Sequence, residues 1–213
     1  MATRVLAVGA HPDDIEIGCG GTLSLHSASG AEVTMLILTN GSAGPGEVAV
    51  RIEEAKTAAS KLGAQLIMAG LMDCELDSSF RTINVIEKVI AQSNPSLIYT
   101  HAESDSHQDH RATAAATIAA ARQSPTILHF QSPSSRVFDP RLFVDIEEHL
   151  ATKIAALSCH TSQVHNSRMV DLDAQEVNAA YWGRQGRTRY AEAFEITRVL
   201  LGSGDRLRHG WEA

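Results

Sequence analysis

The sequence predicts an α/β fold, a single three-layer, Rossmann-like domain with a mostly parallel sheet, and three observations carry that prediction. Short apolar runs rich in Val, Leu and Ile recur along the 213 residues, each bounded by turn residues, as strands buried on both faces are. Longer segments with apolar residues at helical spacing lie between most of them. No internal repeat or low-complexity linker divides the chain, so the alternation reads as one layered unit. The domain is expected to span residues 1–201, with 202–213 a frayed tail.

Val5-Leu6-Ala7-Val8-Gly9 is the first strand. The glycines Gly18, Gly20 and Gly21 follow, then a helix from about Leu23 to Ser29 that stops at Gly30. These glycines do not have the G-x-G-x-x-G spacing of a dinucleotide site, and His11, Asp13 and Asp14 stand where a pyrophosphate needs uncharged backbone. His26, on that helix, is expected at the surface. Glu32 to Thr39 is the second strand, and the loop Asn40 to Gly46 at its carboxyl end is suited to lining a pocket. The next helix, about Glu47 to Leu62, carries Val48, Ile52, Ala55, Ala59 and Leu62 inward and stops at Gly63. Arg51 sits in its first turn, where it either pairs with Glu47 or Glu54 or faces the loop.

Gln65 to Ala69 is the third strand, followed by an acidic loop, Gly70 to Ser79, and a helix from Arg81 to Gln92. Ser96 to Thr100 is the fourth strand, entered through Pro95, and the helix Arg111 to Arg122 follows a polar stretch. Thr126 to Phe130 and Leu142 to Ile146 are further strands, separated by a Ser- and Pro-containing loop, Gln131 to Pro140. Glu147 to Leu157 and Asp173 to Trp182 read as helices, and Gly183 to Arg189 as a basic turn. Tyr190 to Ile196 fits strand or helix. His160, after the first of these helices, is either a pocket residue or a helix-end cap.

A net charge of −7 and the lack of a basic run argue against nucleic-acid binding. Cys19, Cys74 and Cys159 are odd in number and widely spaced, which fits reduced thiols in a cytoplasmic setting rather than a disulfide frame. No apolar stretch approaches the roughly 20 residues of a membrane span, and Met1-Ala2-Thr3-Arg4 leads straight into the first strand, so no membrane attachment is expected.

Two clusters carry the chemistry. His11-Pro12-Asp13-Asp14 follows the first strand and Ser106-His107-Gln108-Asp109-His110 follows the fourth, both at strand carboxyl ends, where open α/β sheets place their sites. An Asp-Asp pair before a helix is often only a cap and dipole complement. The second cluster argues for more. His11, Asp14 and His110 are the candidate metal ligands, since two imidazoles and one carboxylate leave a fourth position open on zinc, the pattern of a catalytic site. Such an ion brings water to a pKa of about 7 and polarises a carbonyl. Asp13 is then placed to take the water's proton, His107 to stabilise an oxyanion or protonate a leaving group, and Asp109 to orient an imidazole.

Ala10-His11-Pro12-Asp13-Asp14-x-Glu16 with Gly18-Cys19-Gly20-Gly21-Thr22, and His107-x-Asp109-His110, resemble the paired motifs of the LmbE-like, PIG-L type N-deacetylases. Fainter matches lie at Arg51 with Glu54 and Ala55, at His160-x-Ser162-Gln163 and at Tyr190-Ala191-Glu192-Ala193-Phe194. The resemblance implies zinc, or another divalent metal such as iron, at His11, Asp14 and His110. It also implies a general base at Asp13, an assisting His107 and Arg51 near substrate, with His160 as a further pocket candidate. Asp105 stands where some members carry an aromatic residue. The activity implied is hydrolysis of an N-acetylated amino sugar or its glycoside to release acetate. A non-sugar N-acyl metabolite and a catalytically silent binding protein are the alternatives. Several members form homo-oligomers.

Overall fold

A computed structural model describes residues 3–164 and 170–200, so the tail expected at 202–213 lies outside the described residues. β1 (Arg4–Gly9), β2 (Glu32–Thr39), β3 (Gln65–Leu71), β4 (Leu97–His101) and β5 (Ile127–Phe130) pair in parallel. β6 (Leu142–Asp145) and β7 (Ala191–Arg198) extend the sheet antiparallel beyond β5, giving the order β3-β2-β1-β4-β5-β7-β6. Helices α1 (Asp14–Ala28), α2 (Val48–Lys61) and α5 (Leu150–Leu157) cover one face, and α3 (Phe80–Ser93) and α4 (Gln108–Ala120) the other. α6 (Thr161–Val164) and α7 (Leu172–Gly186) complete the described helices.

The strand pleat sorts the core. Val5 and Ala7 of β1 and Met35 and Ile37 of β2 pack with Ile15, Leu23, Ala55, Ala58 and Phe130. Their neighbours Leu6, Val8, Leu36 and Leu38 pack with Ile86, Val89, Ala116 and Ala120 on the opposite face. β1 pairs with β2 on one side and β4 on the other, so the chain leaves β1 in one direction and returns past it in the other. The crevice at the carboxyl ends of these two strands is the switch point where such sheets bind ligands.

α1 begins nine residues earlier than the expected Leu23 start, and the glycines are the reason for the difference. They lie inside the helix, where a Cβ at Gly18 would overlap the Phe130 ring and one at Gly21 would sit 2.9 Å from Ile146 Cδ1. Close packing, not turn geometry, requires them. The helix kinks at Cys19 (φ −148°, ψ 19°), which interrupts its hydrogen-bond ladder. Buried Lys153 donates to Ile17 O at 2.6 Å, and buried Glu192 accepts from Gly21 N at 3.0 Å and Thr22 N at 2.7 Å. These two side chains pair with each other at 2.6 Å.

Glu192 also explains the ambiguity of Tyr190 to Ile196, which from Ala191 on belongs to β7, with a charged residue facing the interior. The turn expected at Gly183 is helical through Gly186, and a Cβ on Gly183 would strike the Arg189 backbone, which is why that helical position is glycine. A 3-10 turn, Glu147–His149, precedes α5. His26 is half-buried rather than a surface residue, bonding Tyr99 Oη at 2.9 Å. No helix among the described residues is long and apolar enough to cross a membrane.

Candidate active site

The loop from β1 to α1 puts His11, Asp13 and Asp14 into the crevice. Asp13 caps α1 in position only. Its side chain makes no capping bond, and its backbone is left-handed, φ 99°, a conformation that costs a non-glycine residue about 1–3 kcal/mol and that gathers at functional sites. Asp14 turns back on the loop, its Oδ2 accepting from His11 N at 2.7 Å. Simple helix capping therefore does not account for the pair.

Asp14 is the hinge of the cluster. Its Oδ2 lies 3.2 Å from His11 Nδ1 and its Oδ1 3.3 Å from His110 Nε2, so one carboxylate touches both predicted ligand imidazoles. The rings of His11 and His110 are 5.4 Å apart although the residues are far apart in sequence. His107 is the N-cap of α4 and its Nδ1 accepts from Asp109 N at 3.2 Å. Its ring stacks on His110 at 4.5 Å. Ligating atoms of His11, His107 and His110 all lie within 4.8 Å of one another. Asp109 Oδ2 lies 3.2 Å from His11 Nε2 and accepts from Cys74 N at 2.8 Å.

Three members of the cluster carried no role in the sequence reading. His101, at the last position of β4, accepts from Ala10 N at 3.1 Å, lies 3.3 Å from Asp14 Oδ2 and stacks on His110 at 4.0 Å. Asp105 reaches His110 Nδ1 at 3.2 Å and is itself held by Ser132 Oγ at 2.5 Å and Ser135 Oγ at 3.2 Å. This is the position that differs from the aromatic residue of some relatives, and it holds an imidazole instead of walling the pocket. Asp73, from the acidic loop, lies 3.0 Å from His11 Nε2 and accepts from Ala43 N at 2.7 Å, tying the loop after β2 to the cluster. Position at a strand's carboxyl end was a usable signal for His101. Asp73 had none beyond its acidic neighbourhood.

Arg51 pairs with neither Glu47 nor Glu54. It is buried, donates to Gly41 O and to Pro12 O (3.2 Å), and reaches Asp13 Oδ2 at 3.9 Å. Glu54 is taken by Thr161 Oγ1 at 2.7 Å and Ser162 N at 2.8 Å. His160, the other substrate candidate, is fully buried against Glu16 at 2.9 Å and lies behind the crevice, outside the pocket lining. It is a buried partner of Glu16 on α1.

The pocket of about 250 Å³ has His11, Asp13, Asp14, His107, His110 and Arg51 on its walls. Ala43 to Pro45, Pro133 with Ser134, and Val170 also line it, so the loop expected to line a pocket, Asn40 to Gly46, does so, joined by the loop Gln131 to Pro140. Burial drives the Asp13 carboxyl up to about 7, helped by the charge of Asp14 and opposed by His160 and Arg51. Burial works against a charged His11, yet Asp109, Asp14 and Asp73 outweigh it and push the imidazole up to about 12. His110 is likewise pushed up to about 9, with Asp14 and Asp105 overcoming burial. Burial, then the charge of His110, lowers His101 to about 4, leaving it neutral, and moves His107 down for the same reasons.

The donor set fits a divalent cation. Imidazole and carboxylate converge from two strand ends, Asp109 Oδ1 and His101 Nδ1 are buried without partners, and the carboxylates favour protons on His11 and His110, a positive charge that a cation would supply instead. Among known proteins, the family profile described as PIG-L: GlcNAc-PI de-N-acetylase matches residues 6–121. The chain is 35% identical to the uncharacterized deacetylase YaiS of Escherichia coli, over 74% of this chain and 90% of that protein. It is 30% identical to the diacetylchitobiose deacetylase of Thermococcus kodakarensis, over 91% of this chain and 82% of that one. The fold matches the crystal structure of the conserved protein TT1542 from Thermus thermophilus with a TM-score of 0.84 at 26% identity, covering 93% and 96% of the two chains.

Proposed function

The chain belongs to the PIG-L family of GlcNAc-PI de-N-acetylases, and on that premise we propose that it is a zinc-dependent hydrolase that removes acetyl from an N-acetylated amino sugar or its glycoside. The observation that carries this reading is the single Asp14 carboxylate touching His11 and His110, with Asp13 beside it on the same pocket. Relatives described as acting on diacetylchitobiose and on N-acetyl-alpha-D-glucosaminyl L-malate support the sugar substrate.

His11, Asp14 and His110 would hold the metal. Bound there, zinc supplies a Lewis acid that acidifies water and polarises a carbonyl. Asp13 takes the proton of the attacking water as the new C–O bond forms, and passes it to the amide nitrogen as the C–N bond breaks, leaving acetate and a free amine. A carboxylate with a pKa near neutrality suits both transfers. Arg51 holds the Pro12 and Gly41 carbonyls and lowers the cost of ionising Asp13. His107 is neutral and its Nδ1 accepts a backbone bond, so its proton sits on Nε2, a donor for the carbonyl oxygen as charge develops there. Asp109 and Asp105 fix the His11 and His110 rings from behind.

Three free cysteines support a reducing, cytoplasmic setting. The test is acetate release from N-acetylglucosamine and N,N'-diacetylchitobiose by zinc-loaded protein. No release from any N-acetylated sugar, or full activity in His110→Ala, overturns the proposal.

A further inference from the structure

A second cavity adjoins the pocket. It is a groove of about 760 Å³ between α7 and the loop after β5, and it shares Ile17 and Pro133 with the pocket wall. The catalytic pocket, at about 250 Å³, falls below the roughly 300–1,000 Å³ of sites that enclose drug-sized ligands. It has room for an acetamido ring and little more, whereas the groove is within that range.

The lining of the groove has a definite chemistry. Tyr181 and Val177, one turn apart on α7, are 54% and 70% exposed and give it an apolar platform. Gln131 and Asn178 supply amides, and Asp171 and Asp173 carboxylates. Among the described residues no Lys or Arg lines it. An aromatic face with amide and carboxylate acceptors suits a polyol ring, which has apolar C–H faces and hydroxyl donors at its edge. The same walls repel an anion, so a malate or phosphate aglycone is disfavoured there.

Resting on the sugar-deacetylase reading, we propose that this groove binds the second, uncharged sugar ring of a disaccharide whose N-acetylated ring lies at the histidine–aspartate cluster. The chain is then a deacetylase of neutral glycosides, selecting them by the ring beyond the one it cleaves. Ile17 and Pro133 line both cavities, which sets the groove beside the pocket, as a ligand with two linked rings requires.

The test compares wild type with Tyr181→Ala on N,N'-diacetylchitobiose, N-acetylglucosamine and N-acetylglucosaminyl malate. Tyr181 is exposed, so its loss spares the fold. The expected result is a KM for the disaccharide raised about tenfold, with kcat and all monosaccharide parameters unchanged. Wild type should also prefer the disaccharide to the malate glycoside. An equal change for both neutral sugars, no change for either, or a preference for malate overturns the proposal. So does a Tyr181→Ala protein whose mass by light scattering drops while its selectivity holds, since the face is then an interface between copies. Should wild type cleave none of the three, the sugar-deacetylase reading falls by itself. The groove is then judged by titrating diacetylchitobiose against both proteins by calorimetry. Weaker binding to Tyr181→Ala keeps the subsite, and equal or absent binding removes it.

Discussion

Two groups of buried charge sit on α1 about a turn apart, and they are balanced in different ways. At the kink, Lys153 and Glu192 cancel each other, and their remaining bonds go to the backbone groups that the kink frees, Ile17 O, Gly21 N and Thr22 N. At the N-terminus, Asp14, Asp73, Asp105 and Asp109 crowd round His11, His101 and His110, with Asp13 beside them and Arg51 3.9 Å from Asp13. Partnerless atoms remain there, and the carboxylates push His11 and His110 toward their protonated forms. The kink is closed chemistry that serves the fold. The crevice keeps unpartnered atoms and an excess of carboxylate, an imbalance that a bound cation would relieve.

The largest expected effects separate the two. Asp13→Asn should lower acetate release by about 100- to 10,000-fold while metal content, measured by elemental analysis, stays that of wild type. Asp14→Asn should lose both. Lys153→Ala should leave kcat close to wild type but cost about 3–5 kcal/mol of stability in urea denaturation, because it strands the Glu192 carboxylate in the interior. Lys153→Met combined with Glu192→Gln keeps an acceptor for the α1 amides and removes the charges together, so most of that stability should return. A double variant as unstable as Lys153→Ala would break the distinction, and so would a Lys153→Ala enzyme that folds normally without activity.

The same contrast explains what could be read from the sequence. The crevice was legible because its residues depart from local rules: an imidazole and two carboxylates behind an apolar strand, and two histidines at one helix start, have no packing role to play. The five parallel strands were legible because runs buried on both faces need no partner to be recognised. Glu192 was not, since its meaning depends on Lys153 and on a kink in α1, all distant along the chain. The glycines of α1 read as a loop for the same reason, their cause being the Phe130 and Ile146 side chains they touch. His160 read equally as a pocket residue or a helix-end cap because nothing local announces its pairing with Glu16.

Metal removal should expose the crevice's imbalance at moderate cost. At a free zinc concentration 100 times Kd, binding adds about 2.7 kcal/mol of stability, so chelation should lower Tm. The metal-free protein should also lose stability as pH rises. His110, up to about 9, and His11, up to about 12, both exceed their unfolded value of 6.5. Their contribution is therefore fully present below 6.5, declines above it, and is lost for His110 as pH passes 9. Asp13, raised to about 7, acts in the same direction at lower pH, because ionising it is harder in the fold than in the unfolded chain. Under the proposed reading zinc would take the place of those protons, so the loaded protein should show a much flatter Tm between pH 6.5 and 9. Equal slopes with and without zinc would mean that the cluster does not exchange protons for metal.

The smallest effect concerns the acid side of the rate profile. Burial raises the Asp13 carboxyl first, the charge of Asp14 second, and Arg51 is among the groups that oppose them. A cation on Asp14 cancels the second of these, so the ascending limb of kcat/KM in the zinc enzyme should fall below 7. Arg51→Gln removes a nearby positive charge and should move that limb upward by about one unit; Arg51→Lys, which keeps the charge, should move it less. A structural role for Arg51 in holding Gly41 and Pro12 would reduce the rate in both variants without shifting the limb. A profile flat from about pH 5 to 9 would remove Asp13 from its place as the base, and the metal cluster would then need a different proton acceptor on the same pocket.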